Sequence, residues 1–246
     1  MMCSLAASSL PIEKLDIFND RQLQRCSLAS NEIGSFDFDH KGLAISLAAL
    51  KSLSLSFSQK VIFYSQNDAE QSYDPAEDTV WDEIGDDDVR DDDDIRAEAA
   101  REGNFIGLAK LLQLSSQLED LKLHQFLLMI GPLDHADMYH ERLFQRAAQM
   151  RSNMNLNRME LRGFYVREED LPALIQRTAV RKLSMYSVVM SSGSFRSVFD
   201  YCTSDAADME ELYCDELFEQ ALRVYFDGLG HYRLPPLTGP GGCDAL

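Results

Sequence analysis

The sequence predicts an α/β fold, a curved leucine-rich-repeat-like solenoid with short parallel strands inside and helices outside. Two observations carry this. Leu156, Met159, Leu161, Phe164 and Val166 set apolar residues at steps of 3, 2, 3 and 2, and Val180, Leu183, Met185, Val188 and Met190 repeat those steps 24 residues later. Between the two runs, Leu171, Leu174 and Ile175 share one face of a helix-like segment. A strand followed by a helix at this period is the signature of a repeat array.

The L-x-x-L-x-L core of the pattern recurs along the chain. It reads as Ile12, Leu15, Ile17; as Leu50, Leu53, Leu55; and as Leu118, Leu121, Leu123 with Phe126 and Leu128. Met209, Leu212, Cys214 with Leu217 make a sixth unit. Starts at 12, 50, 118, 156, 180 and 209 give spacings of 38, 68, 38, 24 and 29. Residues 1–66 therefore hold the first units and 96–233 continue the array, with an acidic insert over 67–95 between them. Helices are expected over 42–49, 96–114, 135–150, 194–201 and 217–226, from apolar residues three and four apart. Ser194 is read as the N-cap of its helix. The tail, 234–246, is rich in Pro and Gly and is expected to be disordered.

Charge is concentrated rather than spread. The net charge is -18, yet residues 66–100 alone hold 15 acids against two arginines, leaving the other 211 residues at -5. An acidic balance argues against nucleic acid, whose phosphates are bound by cations that displace counterions, and against an anionic membrane surface. The five cysteines are an odd number without a CxxC pair, which suits free thiols in a reducing, intracellular compartment. The longest apolar run, Phe126 to Ile130, falls far short of the roughly 18 residues of a membrane span. The start of the chain lacks the basic n-region of a signal peptide.

Side chains between the buried positions of each strand point to the concave side of such an arc. Counting along the units puts Lys14 and Asp16, then Ser52, Ser54 and Ser56, then Asp120, Lys122 and His124 on that face. Arg158, Glu160 and Arg162 follow, then Lys182, Ser184 and Tyr186, then Glu211, Tyr213 and Asp215. Mixed charges with Tyr and Arg are the residue types enriched at interface hot spots, so a protein partner is expected here. The ninth position of the motif, commonly Asn or Cys, holds Phe126, Phe164, Val188 and Leu217. Stacked apolar residues must then hold the turn.

Chemistry finds little support. No register of the Asp86 to Asp94 block supplies the acids, Gly and Glu of an EF-hand loop. Trp81 among acids suits docking in a basic groove, and Thr79 before acids suits an acidophilic kinase, but both read more simply as parts of a solvated loop. His135, Asp137, His140 and Glu141 cluster in sequence, but the two histidines are five residues apart and diverge by about 140° on a helix. That is not the spacing of HExxH, and zinc is rejected. No GxSxG, GxGxxG or phosphate loop occurs, so no enzyme activity and no cofactor are expected. The last four residues, Cys243-Asp244-Ala245-Leu246, match the crude C-a-a-X lipidation form; the Asp and the missing polybasic segment weigh against it.

The segments LPIEKLDIFNDRQLQRCSLAS, NFIGLAKLLQLSSQLEDLKL and SGSFRSVFDYC, with the strand-helix units, resemble the F-box and leucine-rich-repeat-like proteins abundant in filamentous fungi. The resemblance covers most of residues 10–225 as a pattern. It implies that the repeats hold a protein substrate and that an N-terminal F-box docks the Skp-type adaptor of a ubiquitin ligase. Leu10, Pro11, Ile12, Glu13 and Leu15 resemble the LPxEL opening of an F-box, but the helical apolar run and terminal Trp do not follow. Ile12, Leu15 and Ile17 fit a repeat strand equally well. Without an F-box, adaptor binding does not carry over, and the chain is a stand-alone repeat scaffold or a truncated relative. A hydrolase of unrecognised type is the distant alternative.

Overall fold

The computed structural model describes residues 2–18, 27–58, 97, 100–126, 140–150, 154–220 and 222–225. The chain runs α1 (Met2–Ser8), β1 (Lys14–Ile17), β2 (Leu28–Ala29), α2 (Ser30–Gly34), α3 (Lys41–Ala48) and β3 (Ser52–Ser58). It continues with α4 (Gly103–Leu114), β4 (Asp120–Phe126), α5 (His140–Ala148), β5 (Arg158–Arg162), β6 (Tyr165–Arg167) and α6 (Asp170–Thr178). Then come β7 (Lys182–Tyr186), β8 (Val189–Ser192), α7 (Arg196–Cys202), β9 (Glu211–Asp215), β10 (Phe218–Glu219) and β11 (Leu222–Arg223). The result is a mixed α/β fold with a mostly parallel sheet.

Six strands form the main sheet in the order β1-β3-β4-β5-β7-β9, every pair parallel, with β2 beside the end of β3. Each begins two residues after a motif start counted from sequence. The register is unbroken: Lys14, Ser52, Asp120, Arg158, Lys182 and Glu211 lie in one row. Alternation along each strand then sends Leu53, Leu121, Met159 and Leu183 to one side, where all are buried. They join helix residues Leu47, Leu108, Leu112, Phe144, Leu171 and Leu174 in a single core. Along the layer, α4 packs on α5, α5 on α6 and α6 on α7.

A second, smaller sheet, β11-β10-β8-β6, follows from one turn made three times. After β5, β7 and β9 comes a left-handed residue: Gly163 (φ 71°), Ser187 (φ 51°) and Glu216 (φ 54°). Next comes a buried apolar residue, Phe164, Val188 or Leu217, and then the short strand. Backbone bonds tie each turn to the next. Gly163 N donates to Tyr186 O and Ser187 N to Asp215 O, both at 2.9 Å, while Val189 N donates to Phe164 O at 2.8 Å and Phe218 N to Val188 O at 2.9 Å. Turn amides and carbonyls are thus paired by the neighbouring backbone, and the apolar column shields those bonds from water. Phe164 also meets Phe57 and Phe144 edge-on, at centroid distances of 5.6 and 5.5 Å.

The helices depart from expectation in three places. Within the described residues, the helix expected over 96–114 is interrupted, since Ala97 is helical but 100–102 are not and α4 starts at Gly103, and the helix expected from 194 begins at Arg196; residues 135–139, where the next was expected to begin, lie outside the described residues. The helix expected over 217–226 is instead β10 and β11, paired antiparallel. Leu217 repeats the place of Phe164 and Val188, so the chain after it adds in parallel to β8, which offers an open edge; Leu222 is left 72% exposed. Ser194 is not the cap residue, which is Phe195. Carboxylates from the second sheet and its margin hold the two amides leading into the helix: Glu168 Oε2 accepts from Ser194 N at 3.1 Å and Glu219 Oε1 from Phe195 N at 2.7 Å. Ser194 Oγ accepts only a long bond from Arg196 N, 3.4 Å.

Candidate binding face

The side of the main sheet opposite the core carries the residues expected at a partner surface. Three rows cross β4, β5, β7 and β9. The first is Asp120, Arg158, Lys182, Glu211; the second Lys122, Glu160, Ser184, Tyr213; the third His124, Arg162, Tyr186, Asp215. Register alone sets opposite charges side by side in the pairs Asp120–Arg158 and Lys122–Glu160. All twelve side chains are exposed or half-buried, as a wetted polar face requires.

The third row holds the densest chemistry. The Arg162 guanidinium lies over the Tyr186 ring at 4.7 Å from its centroid. Tyr186 in turn packs against Tyr213, centroids 5.2 Å apart and tilted by 40°. Arg162 also approaches Glu160 at 4.0 Å. At the other end, His124 Nδ1 and Ser56 Oγ share a hydrogen bond of 3.2 Å. Burial, then the nearby Arg162 charge, hold the His124 pKa below its usual value, against a smaller pull from Glu160.

Two parts of the predicted face differ. Ser54 and Ser56 of β3 are buried, so that strand offers no accessible surface there although its register is as counted. Lys14 and Asp16 on β1 are exposed at the far edge, beyond the buried serines. Trp81, Thr79, the whole 67–95 insert, the 234–246 tail and Cys243 lie outside the described residues.

One cluster was not legible in the sequence. On the second sheet's side, Arg167 draws together Glu141 at 3.6 Å, Glu169 at 3.2 Å and Asp170 at 3.4 Å. Ser191 Oγ donates to Glu141 Oε2 at 2.6 Å. Burial pushes the Asp170 carboxyl pKa up, and Arg167 opposes it. Glu141, part of the sequence cluster weighed for zinc, is thus held by Ser191 and Arg167. Among the described residues no group of three or more His, Cys, Asp and Glu could hold a metal ion. Cys3, Cys202 and Cys214 are free thiols. Burial, with Cys202 nearby, pushes the Cys214 pKa up to about 11, which leaves it a poor nucleophile. No helix among the described residues is long and apolar enough to cross a membrane.

Comparison with protein families, characterised proteins and solved structures found no match for this chain.

Proposed function

We propose that the chain is an intracellular protein-recognition module. In this reading it is a leucine-rich-repeat-like solenoid whose concave face, the polar face of the main sheet, holds a protein partner, as in the substrate-binding half of an F-box receptor. The observation that carries it is the unbroken register of β4, β5, β7 and β9, which lines up twelve accessible side chains around the Arg162–Tyr186–Tyr213 stack. Such a surface is mixed in charge and centred on Tyr and Arg, which supports binding of a protein rather than of a small molecule. A photo-crosslinking residue at Ser184, on this face, is expected to capture a partner in host extract that the same probe at Gln176, exposed on α6, does not. Equal capture from both positions, or none from Ser184, refutes the face.

A second reading, a scaffold with no ubiquitin role, is favoured by the place of LPIEKL. Lys14–Ile17 is a sheet strand paired to β3, whereas an F-box presents helices to its adaptor. Co-purification with the Skp-type adaptor, beside an authentic F-box protein, separates the two. A stoichiometric complex supports the ligase receptor; a well-folded chain that binds none supports the scaffold.

A further inference from the structure

β9 is the last strand of the main sheet, and its outward row is Glu211, Tyr213, Asp215. We propose that this row, backed by Tyr186, is a subsite for a guanidinium group: an arginine side chain of the partner protein. The inference rests on the binding-face reading above and names what one end of that face recognises.

The Tyr213 ring is 46% exposed, unusual for a large aromatic side chain already packed on one side by Tyr186. The chain itself shows the chemistry one strand away, where the Arg162 guanidinium stacks on Tyr186. The next ring in the line, Tyr213, has no cation over it among the described residues. Its neighbours on the strand supply the charge. Glu211 and Asp215 point to the same face, each about 7 Å along the strand from Tyr213.

The other acids nearby are occupied. Asp208 pairs with Arg181 at 3.3 Å, Glu210 with Arg181 at 2.6 Å and Glu216 with Arg223 at 3.8 Å. Lys182 stands opposite Glu211 in register, but its Nζ approaches Glu210 at 3.9 Å. Glu211 and Asp215 form no ion pair among the described residues. The two carboxylates are about 13 Å apart along the backbone, too far to share one metal ion. A planar group with five N–H donors can stack on the ring between them and reach toward either carboxylate. Lysine offers a point charge and no plane, so arginine fits better.

The test uses the full chain with ¹³C-labelled tyrosine rings, titrated at about 150 mM salt to suppress long-range attraction to the acidic chain. The probe is a capped Gly-Ser peptide carrying one arginine, beside counterparts with lysine or citrulline in its place. The arginine peptide is expected to shift the Tyr213 and Tyr186 ring signals saturably, the lysine peptide to bind several-fold more weakly, and the neutral citrulline peptide not to bind. Tyr213→Ala is expected to abolish the Tyr186 shift and Tyr213→Phe to preserve it. Glu211→Gln with Asp215→Asn is expected to weaken binding about tenfold, the scale of a stacked, charge-assisted contact. Equal responses to arginine and citrulline, affinity unchanged by the carboxylate variants, or a Tyr213 ring that never moves would each overturn the proposal. Capture at Ser184 that survives such a result leaves the binding face standing and removes only the arginine subsite.

Discussion

Replacing Phe164 tests what holds the recurring turn. The side chain is fully buried, at 0% exposure, and lies edge-on to both Phe57 and Phe144. Truncation to Ala removes a ring from a packed core, which costs about 3–5 kcal/mol, with the two ring contacts counted within that sum. Phe164→Leu keeps most of the volume and loses the ring geometry, for about 1–2 kcal/mol. Phe164→Asn is the discriminating change, because Asn is the common residue at this place in the leucine-rich repeats that the sequence pattern resembles. Here Val189 N already donates to Phe164 O, and Gly163 N to Tyr186 O, so an Asn side chain finds those partners taken. It would sit polar and unpaired in an apolar column, and is expected to cost at least as much as Ala. Urea denaturation followed by circular dichroism reads the midpoint for each variant. An Asn variant as stable as the parent would refute the reasoning, since it would mean that the turn accepts a side-chain ladder.

Two further outcomes follow from the same structure. A Cβ on Gly107 would lie 2.5 Å from Gly34 N and 2.6 Å from Ile33 C, backbone that cannot move aside, whereas a Cβ on Gly103 meets nothing within 4 Å. Gly107→Ala should therefore lower the denaturation midpoint by about 1–3 kcal/mol equivalent, and Gly103→Ala should leave it unchanged or raise it slightly. His124 titrates lower in the fold than its usual 6.5, because burial and then Arg162 disfavour its charged form. Between those two values the unfolded chain binds the extra proton, so this contribution is intact above 6.5 and is lost as pH falls through the window down to the folded value. Midpoints compared at about pH 7.5 and about pH 5.5 should show a smaller acid loss in His124→Gln than in the parent; an identical loss would refute it.

Strand positions were legible because they depend on local alternation. An L-x-x-L-x-L motif decides which side chains face the core, and a one-residue slip would turn Leu121 and Leu123 out to water. Six such motifs therefore carried their own register, and the rows counted from sequence are the rows that pair. The outward-facing residues of β4 to β9 came with it, as the side chains left between the buried ones. The apolar column at the turn was legible too, from Phe164, Val188 and Leu217 standing where Asn is usual.

What only the tertiary structure decided is what each element meets. The strands of the second sheet are two to four residues long, too short for a periodic signal, and exist because a left-handed turn places each beside the last. Residues 217–226 have helical spacing, yet 218–219 pair with β8 because its edge is open there. The backbone leading into α7 is held by Glu168 and Glu219, distant in sequence and brought near by that sheet. Partnering of charge is likewise a property of space. Sequence placed Glu210, Glu211 and Asp215 on one strand and its approach, but only the fold gives Arg181 to Glu210 and leaves the acids beside Tyr213 without an ion pair among the described residues.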